Sequence, residues 1–149
     1  MALQKLVEVT VTPTITAGAY SAGDVVGGLL TFDVSGASGV FSLKSVRIAD
    51  DDNEKAACHL YLFNSAPTSI ADNAAFAPVI ADLKKLVADV AVASAVFSTL
   101  NGNAVALKEA LTAIFTVPAG KLYGYLVCDA TPTYTATTDL AIQLTLLTE

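Results

Sequence analysis

The sequence predicts an all-β fold: a β-sandwich or jelly roll of about eight strands, in a single domain spanning residues 1–149. Apolar and polar residues alternate in short runs, and glycine, proline, asparagine or aspartate separates one run from the next. Short alternating runs that are separated by turn residues in this way are typical of two packed antiparallel sheets. The length suits one domain, which buries about 68–70% of its unfolded surface at this size.

Four strands are predicted in the first half of the chain, each bounded by turn residues. Pro13 follows the first run closely and favours an edge position for that strand. The paired glycines Gly27 and Gly28 inside the second run indicate a bulge or a close approach of backbone. The predicted strands are residues 6–11, 25–32, 40–48 and 57–63, and residues 1–5 before them are expected to form an extended N-terminal arm.

The second half begins with a long connection, residues 64–85, in which the alternation is lost. Pro67, Pro78 and several alanines indicate a crossing loop, with one short helix predicted over residues 79–86. Asp82 near the start of that helix and Lys84 and Lys85 near its end have the charges that a helix dipole favours. Further strands are predicted at residues 87–92, 95–100, 113–117, 122–128 and 140–146, and residues 104–111 fit either a strand or a helical turn.

The composition is very apolar for a chain with so few chemically versatile side chains. Hydrophobic residues make up 54% of the chain and charged residues 15%, whereas an ordinary domain has about 45–50% and about 25%. There is one histidine, there are two cysteines, and there is no tryptophan. We therefore expect other protein to cover part of the apolar surface, in a homo-oligomer for which a trimer is the first expectation.

Charge and hydropathy argue against two classes of partner. The net charge is −6 and the eight lysines and arginines are scattered, whereas nucleic-acid binding needs clustered basic residues. The longest uncharged stretch, residues 90–107, contains serine, threonine and asparagine and is not a membrane span. The first residues lack the apolar core of a signal peptide. We expect a protein made in a cytoplasm that binds neither nucleic acid nor membrane.

Cys58 and Cys128 both lie within apolar runs. Free cysteine is often a small buried hydrophobic residue, and neither cysteine has the CxxC spacing of a metal or redox site. We expect two buried thiols rather than a disulfide.

Asp50, Asp51, Asp52 and Glu54 form the clearest candidate for a metal site, because carboxylates suit Ca²⁺ or Mg²⁺. The sixth position of the corresponding calcium loop is Lys55, where glycine is required, and no helices are predicted on either side. We expect a solvated turn between two strands and no bound metal.

Catalytic chemistry has little support in the sequence. His59 is the one histidine, and its place inside an apolar strand is typical of a structural residue. No Gly-x-Ser-x-Gly turn or phosphate-binding loop is present, and a pair of carboxylates chosen from fourteen acids has no specificity. Tyr20, Tyr61, Tyr123, Tyr125 and Tyr134 could stack on sugars, but Tyr123 and Tyr125 alternate as in an ordinary sheet face. We expect no enzyme, no catalytic residues and no cofactor.

Several stretches together resemble a family of small virion-associated proteins of tailed bacteriophages. The resemblance spans about residues 16–149 and is carried by residues 48–52 leading into 59–63 (IADDD, HLYLF), 71–76 (ADNAAF), 122–124 (LYG) and 131–140 (TPTYTATTDL). Residues 104–111 depart from the family pattern, because Lys108 to Leu111 look more helical. The resemblance implies a head decoration or cement protein, or another structural protein encoded near the capsid gene, and no catalytic residues.

The resemblance and the composition together predict a capsid decoration protein. We expect it to bind as a homo-oligomer to the major capsid protein, or another virion protein, on the outside of the capsid. Apolar, lightly charged strand faces and residues 2–5 are the expected contacts. Two alternatives are a structural protein of the tail, neck or baseplate, and a lectin-like module that binds host glycans.

Overall fold

Alternating apolar residues pair into two antiparallel sheets in the computed structural model, which describes residues 3–37 and 39–149. A single short α-helix, α1 (Ile80–Leu83), and a 3₁₀ turn (Ser94–Val96) interrupt the strands. The strands are β1 (Leu6–Val11), β2 (Val25–Asp33), β3 (Gly39–Asp50), β4 (Cys58–Phe63), β5 (Leu86–Val92), β6 (Phe97–Leu100), β7 (Asn103–Lys108), β8 (Ile114–Val117), β9 (Lys121–Cys128) and β10 (Leu140–Thr148).

The order of the strands is that of a jelly roll. Sheet A runs β1-β10-β3-β7-β6, with β8 paired to the first part of β3, and sheet B runs β2-β9-β4-β5. The first strands of the chain therefore pair with the last strands, and the long strands alternate between the two sheets, as in the two Greek keys of a jelly roll. The predicted all-β sandwich is confirmed, with ten strands in the described part of the chain instead of about eight.

The main core lies between the sheets and follows the predicted alternation. In β10, Leu140, Ile142, Leu144 and Leu146 are buried, whereas the residues between them are partly exposed. Their partners in β3 include Ile48 on the same inward side. Because successive side chains of a strand point to opposite faces, one alternating pattern fixes which face of each strand enters the core.

The predicted bulge in β2 is present at the paired glycines. The register between β2 and β9 shifts between Val26 and Leu30, and Gly27 and Gly28 have positive φ angles of 85° and 67°. A Cβ at Gly27 would lie 2.4 Å from Cβ of Pro13. Glycine is therefore required at position 27 by both the backbone conformation and the close approach of the preceding loop.

Three predicted elements differ in extent from the structure. The predicted helix 79–86 is only Ile80–Leu83, because the chain from Leu86 onwards pairs with β4 as β5. Residues 95–100 begin with the 3₁₀ turn, and the strand starts at Phe97. Residues 104–108 of the ambiguous segment 104–111 belong to β7, because Ala106 pairs with Ile48 and faces the core, and residues 109–111 lie after the strand.

Residues 3–5, which belong to the predicted arm, lie beside the end of the chain. The Lys5 backbone N–H donates to Thr148 Oγ1 (2.7 Å), and the Thr148 N–H donates to the Lys5 carbonyl (2.9 Å). Leu3 before them is 91% exposed. Residues 1 and 2 of the predicted arm lie outside the described residues. No helix of the described residues is long and apolar enough to cross a membrane.

Candidate functional site

The outer face of sheet B is covered by the long connection between β4 and β5. Tyr125 points outward from β9, and its hydroxyl donates to the Thr68 carbonyl (2.6 Å) and accepts from the Ile70 N–H (3.0 Å). A second apolar cluster forms beneath this connection; it contains Val25, Phe63, Tyr125 and Val127, with Leu29, Tyr61, Ile70, Phe76, Leu86 and Tyr123 packed against them. Sheet B is therefore buried on both faces over much of its area.

Asp72 fixes this connection to the rest of the molecule. Its carboxylate accepts from Thr16 Oγ1 (2.6 Å), from the Tyr20 hydroxyl (2.7 Å) and from the Gly27 N–H (2.6 Å). The Tyr20 hydroxyl also accepts from the Thr16 N–H (2.7 Å). Burial, together with the hydrogen bond to Asp72, raises the pKa of Tyr20. One side chain thus joins the β4–β5 connection, the loop after β1 and the bulge of β2.

The outer face of sheet A carries several exposed apolar residues. Leu6, Leu147, Ser42 and Ile114 lie opposite one another in register, in a row that crosses β1, β10, β3 and β8. Leu6 is 57% exposed and Ile114 is 65% exposed. Val40 and Leu107, also exposed, point to the same side. We call the surface formed by Leu6, Val40, Leu107, Ile114 and Leu147 the apolar face.

Charged groups are few on the outer face of sheet A, although uncharged polar residues such as Thr10, Gln143 and Thr116 also point outward. Among outward-pointing strand positions, Glu8 in β1 and Arg47 in β3 carry exposed charges, and Lys44 lies half-buried at the bulge of β3. Ser42 in the middle of the row is buried, and its hydroxyl has no hydrogen-bond partner among residues 3–37 and 39–149. An exposed apolar patch of this kind marks an interaction surface more often than a catalytic one.

The acidic residues after β3 hold loops together instead of forming an open cluster. Asp50 is buried and accepts from the N–H groups of Asp52 (3.1 Å) and Lys55 (2.9 Å). Asp52 accepts from Thr135 Oγ1 (2.8 Å), and Glu54 accepts from the Thr133 N–H (3.0 Å). Asp52 and Glu54 thus bind donors of the loop between β9 and β10, whereas Asp50 binds the backbone of its own turn.

The same carboxylates differ in pKa because their surroundings differ. Burial raises the pKa of Asp50 in spite of its two backbone donors, whereas the hydrogen bond from the Thr135 N–H lowers the pKa of Asp52. Over the described residues, no three histidine, cysteine or acidic side chains are arranged to hold a metal ion. The expectation that Asp50, Asp51 and Asp52 bind no ion stays a prediction.

A shallow cavity of about 260 Å³ lies at this end of the sandwich. Its two charged side chains are hydrogen-bonded to residues outside the cavity. Lys55 Nζ donates to Thr99 Oγ1 (2.9 Å), and Glu54 accepts from the Thr133 N–H. The remaining lining is mostly small side chains; the full set is Glu54, Lys55, Ala56, Ala57, Ser94, Ala130, Thr131 and Pro132. The cavity has no nucleophile paired with a base and offers no constellation for catalysis.

His59 lies on the outer face of sheet B between two carboxylates. Its Nδ1 is 2.6 Å from Asp89 Oδ1 and its Nε2 is 3.4 Å from Asp129 Oδ2. The ring stacks on Tyr61, with ring centroids 5.4 Å apart. No serine hydroxyl or cysteine thiol is hydrogen-bonded to this imidazole in the described residues. The arrangement is that of partly exposed polar contacts which tie β4 to β5 and to the residue after β9.

The tyrosines proposed for sugar stacking are largely used inside the protein. Tyr20, Tyr125 and Tyr134 are buried. The Tyr61 ring stacks with both His59 and Phe76, at centroid distances of 5.4 and 4.9 Å. Tyr123 packs against the second cluster. The lectin alternative therefore loses most of the residues on which it depended.

Comparisons with known proteins leave the chain without an assigned family. No protein-family model matches the chain. No curated protein matches it in sequence. Among solved structures, the EclA C-terminal domain, a sugar-binding protein, is 15% identical over 98% of this chain and 79% of its own length, with a TM-score of 0.32.

Two structures with viral names are similarly distant. A protein of Desmodium yellow mottle tymovirus is 12% identical over 99% of this chain and 82% of its own length, with a TM-score of 0.28. PRD1 vertex protein P5 is 15% identical, over 95% of this chain and 94% of its own, with a TM-score of 0.30. TM-scores this low assign neither a family nor a function.

The individual residues of the apolar face were not predicted from the sequence, although a signal for two of them is present. Leu6 lies at an outward position of β1, where the valines point inward. Ile114 likewise lies at an outward position of β8, where Phe115 and Val117 point inward. A single exposed apolar residue is ordinary on a protein surface, and only a group of them indicates an interaction surface. The alignment of these residues into one row depends on strand register, which the sequence does not give.

Proposed function

We propose that the chain is a structural protein of a phage virion, a capsid decoration protein that forms a homo-oligomer, with a trimer as the first expectation, on the capsid exterior. It acts by contact and has no catalytic residue or cofactor. Its partners are further copies of itself and the major capsid protein or another virion protein.

The observation that carries this proposal is the contrast between the two outer sheet faces. Sheet B is covered by its own chain, whereas the apolar face of sheet A is uncovered. The accessible surface of 7081 Å² is close to the roughly 7100 Å² of a compact monomer of this mass. The apolar excess in the composition is divided between the second cluster, the apolar face and other exposed residues, which include Val79, Ile80 and Leu83 in and beside α1.

The occupant that fits the apolar face best is a second copy of the chain. The six strands of sheet A range from 4 to 12 residues, and at about 3.4 Å per residue and about 4.8 Å between strands its whole outer face covers about 700 Å². The apolar face is part of this area, and a standard interface buries roughly 800 Å² per partner. Glu8 and Arg47 on the same face supply both signs of charge, so copies can offset each other's charges. Both features favour self-association over a strongly charged partner.

Reinforcement of a shell follows from mass action. A protein that binds across the junctions of capsid subunits binds the closed shell and loses those contacts when the shell opens. Binding therefore shifts the equilibrium toward the closed shell. Oligomerisation multiplies the effect, because each bound copy raises the effective concentration of the others at the surface.

The jelly roll is compatible with this role and with its alternatives. Jelly rolls occur in viral capsid and lectin domains alike, so the fold does not choose between them. A structural role in the tail, neck or baseplate uses the same chemistry at a different place. The glycan-binding alternative is weakened by the burial of Tyr20, Tyr125 and Tyr134.

Electron microscopy of virions with labelled protein tests the proposal. Label over the head supports a decoration protein, label at the tail supports the first alternative and refutes decoration, and absence of label from virions refutes both. Ile114→Glu places a charge on the apolar face and is expected to abolish labelling. Ile80→Glu is the matched control, because Ile80 has similar exposure (71%) but lies in α1, in the connection that covers sheet B.

A further inference from the structure

Cys58 and Cys128 are direct neighbours across two strands of sheet B. Cys58 is the first residue of β4 and Cys128 is the last residue of β9. The two residues face each other in the antiparallel register of these strands. The sequence places them 70 positions apart, so their proximity is a result of the fold alone.

The backbone hydrogen bonds show which kind of cross-strand pair they form. The Asp129 N–H donates to the Ala57 carbonyl (2.8 Å), so the adjacent pair carries the bonds between β4 and β9. The backbone of Cys128 is hydrogen-bonded to the residues just before β2 instead. Its N–H donates to the Asp24 carbonyl (3.1 Å), and its carbonyl accepts from the Gly23 N–H (2.7 Å). Cys58 and Cys128 are therefore a non-hydrogen-bonded pair.

That geometry brings the two residues within the range of a disulfide. Cα atoms of a non-hydrogen-bonded pair are about 4.5 Å apart, and disulfides span Cα distances of about 4.4–6.8 Å. Both side chains belong to the core between the sheets and point to the same side. The Cys128 thiol donates a weak hydrogen bond to the Ser21 carbonyl (3.1 Å), which a rotation of its side chain would release.

We propose that Cys58 and Cys128 are a modification site, at which oxidation forms an intramolecular disulfide that joins β4 to β9. Both cysteines are free and buried in the reduced protein, as the sequence predicted. The bond would close a long loop that contains the connection over sheet B, α1, and strands β5 to β8. Cross-links that close long loops restrict the unfolded chain most.

The oxidant required is a small disulfide such as oxidised glutathione. The thiolate of one cysteine attacks a glutathione sulfur, the glutathione S–S bond breaks, and a mixed disulfide forms as one glutathione thiolate leaves. The second cysteine then attacks the protein sulfur and releases the second glutathione. The two protein thiols lose two protons and two electrons, and the glutathione disulfide is reduced to two thiols.

Burial makes this reaction slow in the folded state. Burial raises the pKa of Cys58 to about 12 and also raises that of Cys128, so few thiolates are present at neutral pH. The two residues lie where their strands begin and end, and strand ends open more readily than strand centres. Oxidation is therefore expected to follow local opening at this end of sheet B.

The stage at which the disulfide would form in vivo rests on the proposed function, whereas its formation in the isolated chain does not. A virion protein made in a reducing cytoplasm would keep both thiols until the particle is released into an oxidising medium. The disulfide would then stabilise the sandwich after assembly. The isolated chain tests the bond itself, and it can form or fail to form whatever the outcome of virion labelling.

The test is oxidation of the purified full-length chain with oxidised glutathione, followed by intact-mass spectrometry and peptide mapping. We expect a monomer that lacks two hydrogens, a Cys58–Cys128 cross-linked peptide, and a Tm raised by about 10 °C. Reduction with dithiothreitol should restore the original mass and Tm. Cys58→Ala and Cys128→Ala should each abolish the loss of mass and the gain in Tm.

A parallel refolding experiment tests whether the fold brings the two thiols together, independently of whether the oxidant reaches them in the native protein. The chain is unfolded in urea and refolded in a glutathione redox buffer, so that both thiols are exposed while the fold forms. The same cross-linked peptide in a folded product supports the proposal even if the native protein reacts slowly. Stable glutathione adducts, disulfide-linked dimers, or a folded product with two free thiols would overturn it.

Discussion

Replacing Asp72 with alanine tests how the outer face of sheet B stays closed. The substitution removes the acceptor for Thr16 Oγ1, the Tyr20 hydroxyl and the Gly27 N–H at once. Tyr20 is buried, so its hydroxyl proton would be left without an acceptor in place. The loss of stability is therefore expected to exceed the loss caused by removing a surface salt bridge.

The magnitude follows from the number and kind of bonds. A hydrogen bond to a charged group contributes about 1.5–3 kcal/mol, but the three bonds share one carboxylate and are not additive. Solvent also reaches this half-buried site. We expect Asp72→Ala to lower the free energy of unfolding by about 3 kcal/mol, and Tm by about 6–12 °C for a domain of this size.

Urea and thermal denaturation followed by circular dichroism measure this change. Asp51→Ala is the matched control, because Asp51 is an exposed aspartate in the turn after β3 and should change stability by no more than about 0.5 kcal/mol. Asp72→Asn should lie between the two, since the amide keeps one oxygen acceptor. An Asp72→Ala protein as stable as the control would refute the view that Asp72 secures the connection.

Three further predictions concern single side chains. Ser42→Ala should leave Tm unchanged or raise it slightly, because the buried hydroxyl has no partner in the described residues to lose; a loss of more than about 1 kcal/mol would show an overlooked partner. Because the pKa of Asp52 is lower in the folded chain than in the unfolded chain, its carboxylate is protonated first in the unfolded chain as pH falls. The contribution of Asp52 to stability is therefore complete above about pH 4 and is lost as pH falls through the lowered value. Urea titrations from pH 6 to pH 3 should show a smaller acid loss in Asp52→Asn than in the wild type. His59→Gln should leave the assembled mass unchanged and cost about 1 kcal/mol or less, since its contacts with Asp89 and Asp129 are partly exposed; dissociation of the oligomer would place His59 at an interface.

Most of the fold follows from the alternation of apolar residues. β10 was predictable because its four inward residues are all aliphatic, and the bulge in β2 was predictable because paired glycines inside a strand are typical of a bulge. The helix after Pro78 was predicted too long, because local charges favour a helix whereas the apolar residues from Leu86 onwards pair with β4. Tertiary pairing overrides local propensity in such segments.

The candidate site was less predictable, because it depends on register between distant strands. The apolar composition indicated that some strand face is uncovered, but not which one. Asp72 lies in a loop without alternation, and nothing local in its sequence signals three bonds to residues about 45–56 positions away. The proximity of Cys58 and Cys128 depends in the same way on the pairing of β4 with β9.

The mass of the purified chain in solution, measured by multi-angle light scattering at micromolar concentration, tests the central claim most directly. The proposed trimer predicts a mass near three times 15.3 kDa. Because association is proposed to use the apolar face, Ile114→Glu should reduce the mass to that of one chain while Ile80→Glu should not. A stable wild-type monomer at that concentration would contradict the account.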